Sequence, residues 1–431
     1  MTKKKIKINV PVLARVEGEG ALDIDIIAGK ITNLQLKIFE PPRMFEKLLE
    51  GRNYAEVPDI VARICGICPV AYQMSAVNAL EDLFGTQPSP WVKSMRRLFY
   101  CAEWIESHAL HIHLLAAPDF LGYQSAPDMA KDFPIELRRG ISLQNLGNDM
   151  LRFLGGRSVH PVGLKVGGFY HAPDKRQAVE LLNKLTNALT GAEALVQWVA
   201  GFDLPESTNI KTMVALNSKT SYPMGEGNIA SNEGLDISSS VFDQHFKEHH
   251  EPHSTALHCL LNQKPYLVGP LARVNLNYNN LPRAVKNVAK NAGLTFPSHN
   301  MFHSIHARAL EILFAINESI KILQTYEKSD QPFVKVTPTA GIATSCTEAP
   351  RGILFHRYEI DDKGKILKAT IVPPTSQNQA QIERDLRESL NHFGLDKPEQ
   401  DLRLHAEKII RNYDPCISCA THFLNLKINR D

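Results

Sequence analysis

Residues 63–69 read Arg63-Ile64-Cys65-Gly66-Ile67-Cys68-Pro69, and residues 414–422 read Asp414-Pro415-Cys416-Ile417-Ser418-Cys419-Ala420-Thr421-His422. Each stretch carries a Cys-x-x-Cys pair. Two thiolates three residues apart can share one metal, because a turn aims both sulfurs at one point, and Gly66 eases the backbone inside the first turn. If one site uses all four sulfurs, folding must bring the two ends of the chain together. The sulfurs alone leave four readings open. A Cys₄ zinc site usually has its pairs about 15–20 residues apart, whereas about 350 intervene here. A redox dithiol needs one pair and a βαβ setting, which neither has. An iron–sulfur cluster or a mononuclear iron takes four thiolates. A transition-metal active site is the fourth reading.

Working outward from the first pair, residues 6–38 read as an antiparallel meander. Ile6, Ile8, Val10 and Val12 alternate, Gly18-Glu19-Gly20 breaks the run, and Leu22, Ile24 and Ile26 resume it. Ala28-Gly29-Lys30 turns the chain into Ile31, Leu34, Leu36 and Ile38. After Pro41-Pro42 the pattern becomes helical, with helices expected over 43–51, 58–63, 69–84, 91–116, 127–153 and 176–200. Later helices are expected over 280–293, 300–326, 377–393 and 400–412. Segment 201–277 has weak periodicity and is expected to be irregular with short strands. Residues 351–372 alternate around Asp361-Asp362-Lys363-Gly364-Lys365 and are expected to form a β-hairpin.

The chain has 431 residues, 43% hydrophobic and 22% charged, with 48 Lys plus Arg against 46 Asp plus Glu. That balance argues against nucleic-acid or membrane-surface binding. No apolar run approaches the roughly 18 residues of a membrane-spanning helix. The basic start Met1-Thr2-Lys3-Lys4-Lys5 runs into alternating residues rather than a signal segment, so a cytoplasmic location is expected. Seven cysteines do not form a secreted disulfide framework, and Cys101, Cys259 and Cys346 read as small buried hydrophobes. The fold class expected is mainly α with small antiparallel β-sheets (α+β). One multi-lobed unit over 1–431 is expected, with a meander at 1–40, a helical region at 43–200, and an irregular plus helical region at 201–350. A hairpin, helices and the second pair follow at 351–422, then a cleavable tail at 423–431.

The flanking residues carry more. With the two pairs stand Arg15-Val16-Glu17-Gly18-Glu19-Gly20 and Glu348-Ala349-Pro350-Arg351-Gly352. In this order and near these spacings, the set resembles the large, catalytic subunit of nickel–iron hydrogenases, from residue 15 to residue 422. Cys65-Gly66-Ile67-Cys68-Pro69-Val70-Ala71-Tyr72-Gln73, Gly156-Arg157-Ser158-Val159-His160-Pro161 and Val166-Gly167-Gly168-Phe169-Tyr170 resemble its cytoplasmic bidirectional branch. That branch is linked to NAD(P) and includes the sulfhydrogenases.

The resemblance implies that Cys65, Cys68, Cys416 and Cys419 bind nickel and that Cys68 and Cys419 bridge to iron, which carries carbon monoxide and cyanide. Soft thiolates suit such metals. Dihydrogen is a very weak acid, so its splitting needs a polarising metal and a base. Cys416 matches the sulfur that takes the proton, and Glu17 the carboxylate that relays it. Alone, Glu17 would read as an exposed turn residue. Arg351 matches a guanidinium held over the metals, where its charge can polarise hydrogen or steady diatomic ligands; alone it would read as a salt-bridge partner. Asp414 is placed to hold Arg351, and Thr375 to hydrogen-bond a cyanide. Glu46 and His422 resemble ligands of a second metal, magnesium or iron.

Tyr72 stands where many uptake-type members carry His, and Ser107 where they carry Asp. His108 and His111 read as hydrogen-bonded residues of a helix covering the site, and His245, His249, His250 and His253 as a solvated loop edge. No Gly-x-Gly-x-x-Gly or Walker-type loop is present, so no nucleotide site is expected on this chain. The resemblance therefore implies diaphorase-type beta and gamma subunits holding flavin and NAD(P), reached through an iron–sulfur small (delta-type) subunit. It also implies a maturation endopeptidase cutting after His422. The rival acceptors are a heterodisulfide reductase, a deazaflavin, or sulfur and polysulfide. The rival of another class is a non-catalytic hydrogenase-like structural subunit.

Overall fold

The computed structural model describes residues 5–207 and 212–421. The meander is present as β1 (Lys5–Val10), β2 (Gly20–Ile27) and β3 (Lys30–Ile38), paired antiparallel in the order β1-β2-β3. Ala28 at φ 52° and Gly29 at φ 71° join β2 to β3 with two positive-φ residues, the turn whose twist matches that of the flanking strands. One face of the sheet, including Ile8, Leu22, Ile24 and Leu36, is buried against Ile382, Leu386, Ile409 and Ile410 of two late helices.

A helical body surrounds the first cysteine pair. It is built from α1 (Pro69–Leu83), α2 (Pro90–Leu110), α3 (Pro134–Gly155), α4 (Lys175–Ala200) and α5 (Ser304–Gln324). Proline stands at the first position of α1, α2 and α3, where its missing N–H costs nothing and its fixed φ is already helical. The α2–α3 contact is close because Gly147 faces α2: a Cβ there would stand 2.7 Å from the Glu106 backbone nitrogen and Cβ. Earlier on the same helix, a Cβ at Gly140 would meet the His113 ring at 2.3 Å.

The helix expected over 91–116 changes character part-way. It is α-helical to Leu110, then widens to a π-helix at His111–Ala116 before a short helix from Ala117. Pro118, which has no N–H to donate, follows that widened turn.

The late β signal is a three-stranded sheet rather than a hairpin: β4 (Gly341–Ala349), β5 (Gly352–Ile360) and β6 (Ile366–Val372). The first strand escaped the sequence reading because Ser345, Thr347 and Glu348 are buried polar residues that break the apolar alternation. The chain closes with α6 (Pro374–Phe393) and α7 (Glu399–Tyr413). Segment 201–277 does hold short strands, among them Phe246–His249 paired with His258–Leu261. It also holds an unexpected helix, Pro270–Asn277, which starts with proline after Gly269. The expected mainly helical fold with small antiparallel sheets is what the structure shows. No helix among the described residues is long and apolar enough to cross a membrane.

Candidate metal centre

Cys65 ends a 3-10 turn, Ala62–Ile64, in extended conformation, and Cys68 is the residue before Pro69 at the start of α1. Cys416 precedes the short helix Ile417–Ala420, which contains Cys419. The two loops meet although 351 positions apart: Cys65 Sγ lies 3.5 Å from Cys416 Sγ, and Cys68 Sγ 3.6 Å from Cys419 Sγ. Within the pairs the sulfurs are 2.8 and 2.7 Å apart. All four thiols are buried and none is in a disulfide, and their donor atoms lie within 4.8 Å of one another. The cross-pair separations are close to the edge, about 3.8 Å, of a tetrahedron with metal–sulfur bonds of about 2.3 Å.

Several groups fasten the loops to each other. The Arg43 guanidinium donates to the Ile64 carbonyl at 2.7 Å and also to the Ser418 carbonyl, while its own backbone N–H donates to Thr421 O at 2.6 Å. Two backbone N–H groups, of Ile67 and Cys68, point at Cys65 Sγ at 3.3 and 3.1 Å. Glu103 of α2, fully buried, accepts from Val70 N at 2.6 Å and Ala71 N at 3.1 Å. It thereby caps the first turn of α1 just beyond Cys68. Nothing in the sequence singled out Glu103 except an acid inside the apolar run Cys101-Ala102-Glu103-Trp104.

Glu17 is brought to the second pair. Its carbonyl accepts from Ile417 N at 2.9 Å, and its Oε2 accepts from Cys416 Sγ and from Ser418 N, each at 3.1 Å. Gly18 permits this approach: a Cβ there would lie 2.7 Å from Ile417 Cβ, and its φ is +89°. Glu17 is half-buried, so its carboxylate lies between the sulfurs and the surface.

Arg351 occupies the second position of the two-residue turn, Pro350–Arg351, between β4 and β5, since Ala349 pairs with Gly352. Its Nε donates to Asp414 O at 2.7 Å and its Nη2 to Asp414 Oδ1 at 3.1 Å, as expected for a restrained guanidinium. Asp414 Oδ2 accepts from Arg308 Nη1 of α5 at 3.2 Å. The chain of buried groups continues inward. His108 lies 3.2 Å from Arg308 Nη1 and 2.9 Å from Glu311 Oε2, and Glu311 pairs with Arg273 at 2.8 Å. Arg273 in turn binds Glu348 Oε2 at 2.8 Å and the carbonyls of Ala349 and Pro350 at 2.7 and 2.9 Å, which steadies the turn that carries Arg351. Three arginines alternate with three acids, so no buried charge stands alone. Arg308, Glu311 and Arg273 were not read from the sequence: Arg308 and Glu311 look like solvated charges of a helical segment, and Arg273 like one in an irregular segment.

The electrostatics follow. Burial alone would push all four thiols up; proton sharing among the sulfurs and the Arg351 charge pull Cys65 well below the usual thiol range. Burial would also raise Asp414, but the charges of Arg351 and Arg308, with His111, hold it below the ordinary carboxylate value. His108 is pushed down to about 4, mainly by burial. His108 and His111 are hydrogen-bonded, the latter through Nε2 to Arg411 O at 2.8 Å, as the sequence reading expected.

Thr375, at the first turn of α6, accepts from Cys416 N at 3.0 Å, which leaves its hydroxyl hydrogen to donate elsewhere. Glu46 lies on the short helix Phe45–Leu49, half-buried, and its Oε1 accepts from Ile371 N at 2.7 Å. His422 and the tail Phe423–Asp431 lie outside the described residues.

Whether these residues suit a nickel–iron centre can be judged from the groups around the sulfurs. Four thiols aimed at one point are the donor set that soft metals take. Buried Arg351 Nη1 and Tyr72 OH have no hydrogen-bond partner among the described residues, and Arg351 feels the charges of Cys416, Cys68 and Cys65. Tyr72 is buried within the field of all four cysteines. Orphaned buried donors beside a soft-metal site are what small polar ligands on a metal would satisfy. The residues fit.

Comparison with known proteins agrees. A family model described as nickel-dependent hydrogenase matches residues 43–148 and 258–422. The chain is 32% identical to the alpha subunit of sulfhydrogenase 1 of Pyrococcus furiosus, covering 98% of this chain and 99% of that protein. It is 29% identical to the alpha subunit of sulfhydrogenase 2 of the same organism, covering 97% of this chain and 100% of that protein. A crystal structure of an NAD+-reducing [NiFe]-hydrogenase in the H2-reduced state superposes with a TM-score of 0.87 at 26% identity, over 98% of this chain and all of that one. Four convergent cysteines, the Glu17 and Arg351 motifs and these likenesses together make the chain a member of the nickel-dependent hydrogenase family, a large subunit of the [NiFe] type.

Proposed function

We propose that this catalytic large subunit splits dihydrogen reversibly, and that its electrons leave through an iron–sulfur small subunit to diaphorase-type subunits carrying flavin and NAD(P). In this reading Cys65, Cys68, Cys416 and Cys419 would hold nickel, and Cys68 and Cys419 would also hold an iron bearing carbon monoxide and cyanide. When bound, that centre would supply the polarisation that separates dihydrogen into two protons and two electrons. The single observation that supports the role of the protein groups is the Cys416 Sγ–Glu17 Oε2 hydrogen bond of 3.1 Å.

A proton on the Cys416 sulfur has Glu17 as its neighbour, and half-buried Glu17 can pass it outward. Arg351, fixed by Asp414, brings a permanent charge into the field of Cys416, Cys68 and Cys65, and its Nη1 has no hydrogen-bond partner among the described residues. Tyr72 OH and the Thr375 hydroxyl are the further donors proposed for diatomic ligands. Glu46 and His422 are proposed to hold a second ion, magnesium or iron. Arg43, three residues before Glu46, hydrogen-bonds Thr421, which supports that placement.

Support for an NAD(P)-linked acceptor, and for the cytoplasmic location it implies, comes from the structural likeness to the NAD+-reducing enzyme. A second reading, transfer to sulfur or polysulfide, is favoured by the likeness to the sulfhydrogenase alpha subunits. Purifying the native complex and assaying hydrogen-dependent reduction of NAD+, NADP+ and polysulfide decides between them. Reduction of a pyridine nucleotide, with flavin in the complex, supports the first reading; reduction of polysulfide alone overturns it.

A further inference from the structure

The strand His258–Leu261 pairs antiparallel with Phe246–His249, so His258 stands opposite His249 at the loop end of this hairpin. Between the strands, the connecting loop carries His253 back to the same end; the two rings lie 5.6 Å (His249) and 5.9 Å (His253) from that of His258. The loop is not free to wander. Thr255 N and Oγ1 both donate to Ile38 O, at 2.7 and 3.0 Å, and Oγ1 also reaches Glu40 O at 2.9 Å.

Helix α6 supplies Glu383, whose Oε1 lies 2.9 Å from His253 Nε2 and accepts from Leu36 N of β3 at 2.8 Å. His253, His258 and Glu383 thus offer donor atoms within 4.8 Å of one another. His258 is 2% exposed, and its Nε2 has no hydrogen-bond partner among the described residues. An imidazole nitrogen buried in this way, beside a second imidazole and a fixed carboxylate, calls for a ligand.

We propose that His253, His258 and Glu383 form a further transition-metal site, separate from the four cysteines and from Glu46 and His422, that takes one borderline divalent cation of the zinc or nickel class. Two imidazoles and one carboxylate are the donors such ions prefer, whereas magnesium and calcium take oxygens. The Leu36 N–H on Glu383 serves as the outer partner that orients a ligating carboxylate. Cys259 is excluded from the set because neighbouring strand residues face opposite ways, and its sulfur accepts from Tyr266 OH at 3.4 Å. A second set, His249, Glu251 and His258, is more exposed.

The ion would tie the hairpin loop to β3 and α6. Glu383 lies eight residues along α6 from Thr375, about 12 Å at the helical rise, so the site is distinct from the cysteine cluster. The solvated-edge reading therefore holds for His250, which is exposed, and fails for His253.

The test uses matured, nickel-loaded enzyme, full-length and in its native complex, titrated with Zn2+ and examined by zinc K-edge absorption and equilibrium dialysis. One equivalent of zinc is expected, with nitrogen and oxygen neighbours at about 2.0–2.1 Å and imidazole scattering. Glu383→Gln and His253→Gln, both at partly exposed positions, are each expected to weaken zinc binding at least tenfold, and Glu251→Gln less than threefold. His258→Asn is expected to abolish binding, with circular dichroism reporting its folding. Sulfur neighbours around zinc, no stoichiometric zinc at micromolar concentration, or unchanged affinity in Glu383→Gln and His253→Gln would each overturn the proposal.

Discussion

Cys416 and Glu17 are joined twice: the sulfur lies 3.1 Å from the carboxylate, and the two backbones form a parallel β-bridge in which Ile417 N donates to Glu17 O. A side-chain hydrogen bond alone would let the carboxylate swing to solvent. The bridge, together with the Ser418 N–H on Oε2, fixes the carboxylate beside the sulfur. Positioning of this kind is what a proton relay requires.

Glu17→Gln keeps the shape and both backbone contacts but cannot carry a proton. Hydrogen turnover is expected to fall by about 10²–10⁴-fold while nickel and iron contents stay at wild-type levels. Cys416→Ser is expected to do the reverse in order, losing nickel first, because a hydroxyl does not replace a soft thiolate. Gas-consumption assays with metal analysis of the same samples check both; near-normal turnover in Glu17→Gln contradicts the relay.

Arg308 shares Asp414 with Arg351, so it holds the group that holds the guanidinium. Arg308→Met leaves one Asp414 oxygen buried without its cation, a loss of about 3 kcal/mol. A lower melting temperature and slower turnover with nickel retained are expected, and Arg308→Lys should recover part of both. Unchanged melting and turnover in Arg308→Met would show that the inner network is dispensable.

His113 is fully buried, stacks on Trp198 at 5.5 Å, and is pushed down to about 4 chiefly by burial. The unfolded chain takes up a proton near the ordinary value of 6.5 that the folded chain refuses. Stability is therefore undiminished above pH 6.5 and is lost as pH falls toward 4, by about 3 kcal/mol from this residue alone. His113→Phe keeps the stacked ring and removes the titration. Its melting temperature is expected to fall less steeply than wild type between pH 6.5 and 4.5; parallel profiles would contradict this.

The tail Phe423–Asp431 is expected to be absent from the working enzyme, with His422 as the new terminus. Intact-mass measurement of the active, nickel-loaded protein checks it. A fully active large subunit that retains all 431 residues would contradict the cleavage.

Local pattern made much of the fold readable. The meander follows from period-two alternation and from Ala28-Gly29, and the long helices from apolar spacing and from prolines at their first positions. The cysteines, Glu17 and Arg351 were readable because they sit in short motifs. Their surroundings were not. Glu103, Arg273 and Arg308 act through partners brought close only by tertiary packing; Glu103 and Arg308 stand in helical stretches that read the same whether their charges are solvated or buried, and Arg273 stands in a segment that reads as irregular. β4 hid for a related reason: both of its faces are buried and carry polar residues, with Thr347 on Ser75 and Glu348 on Arg273 and Leu216 N. His258, a lone histidine in a short apolar strand, gave no hint of the histidines the hairpin folds onto it.

The central claim is that four buried thiols from opposite ends of the chain hold a nickel–iron centre. Metal analysis of the matured enzyme, joined to its infrared spectrum, tests it most directly. One nickel and at least one iron per chain, with bands of iron-bound cyanide and carbon monoxide, are expected. Zinc as the only metal in the cysteine cluster, with no such bands, would contradict the account.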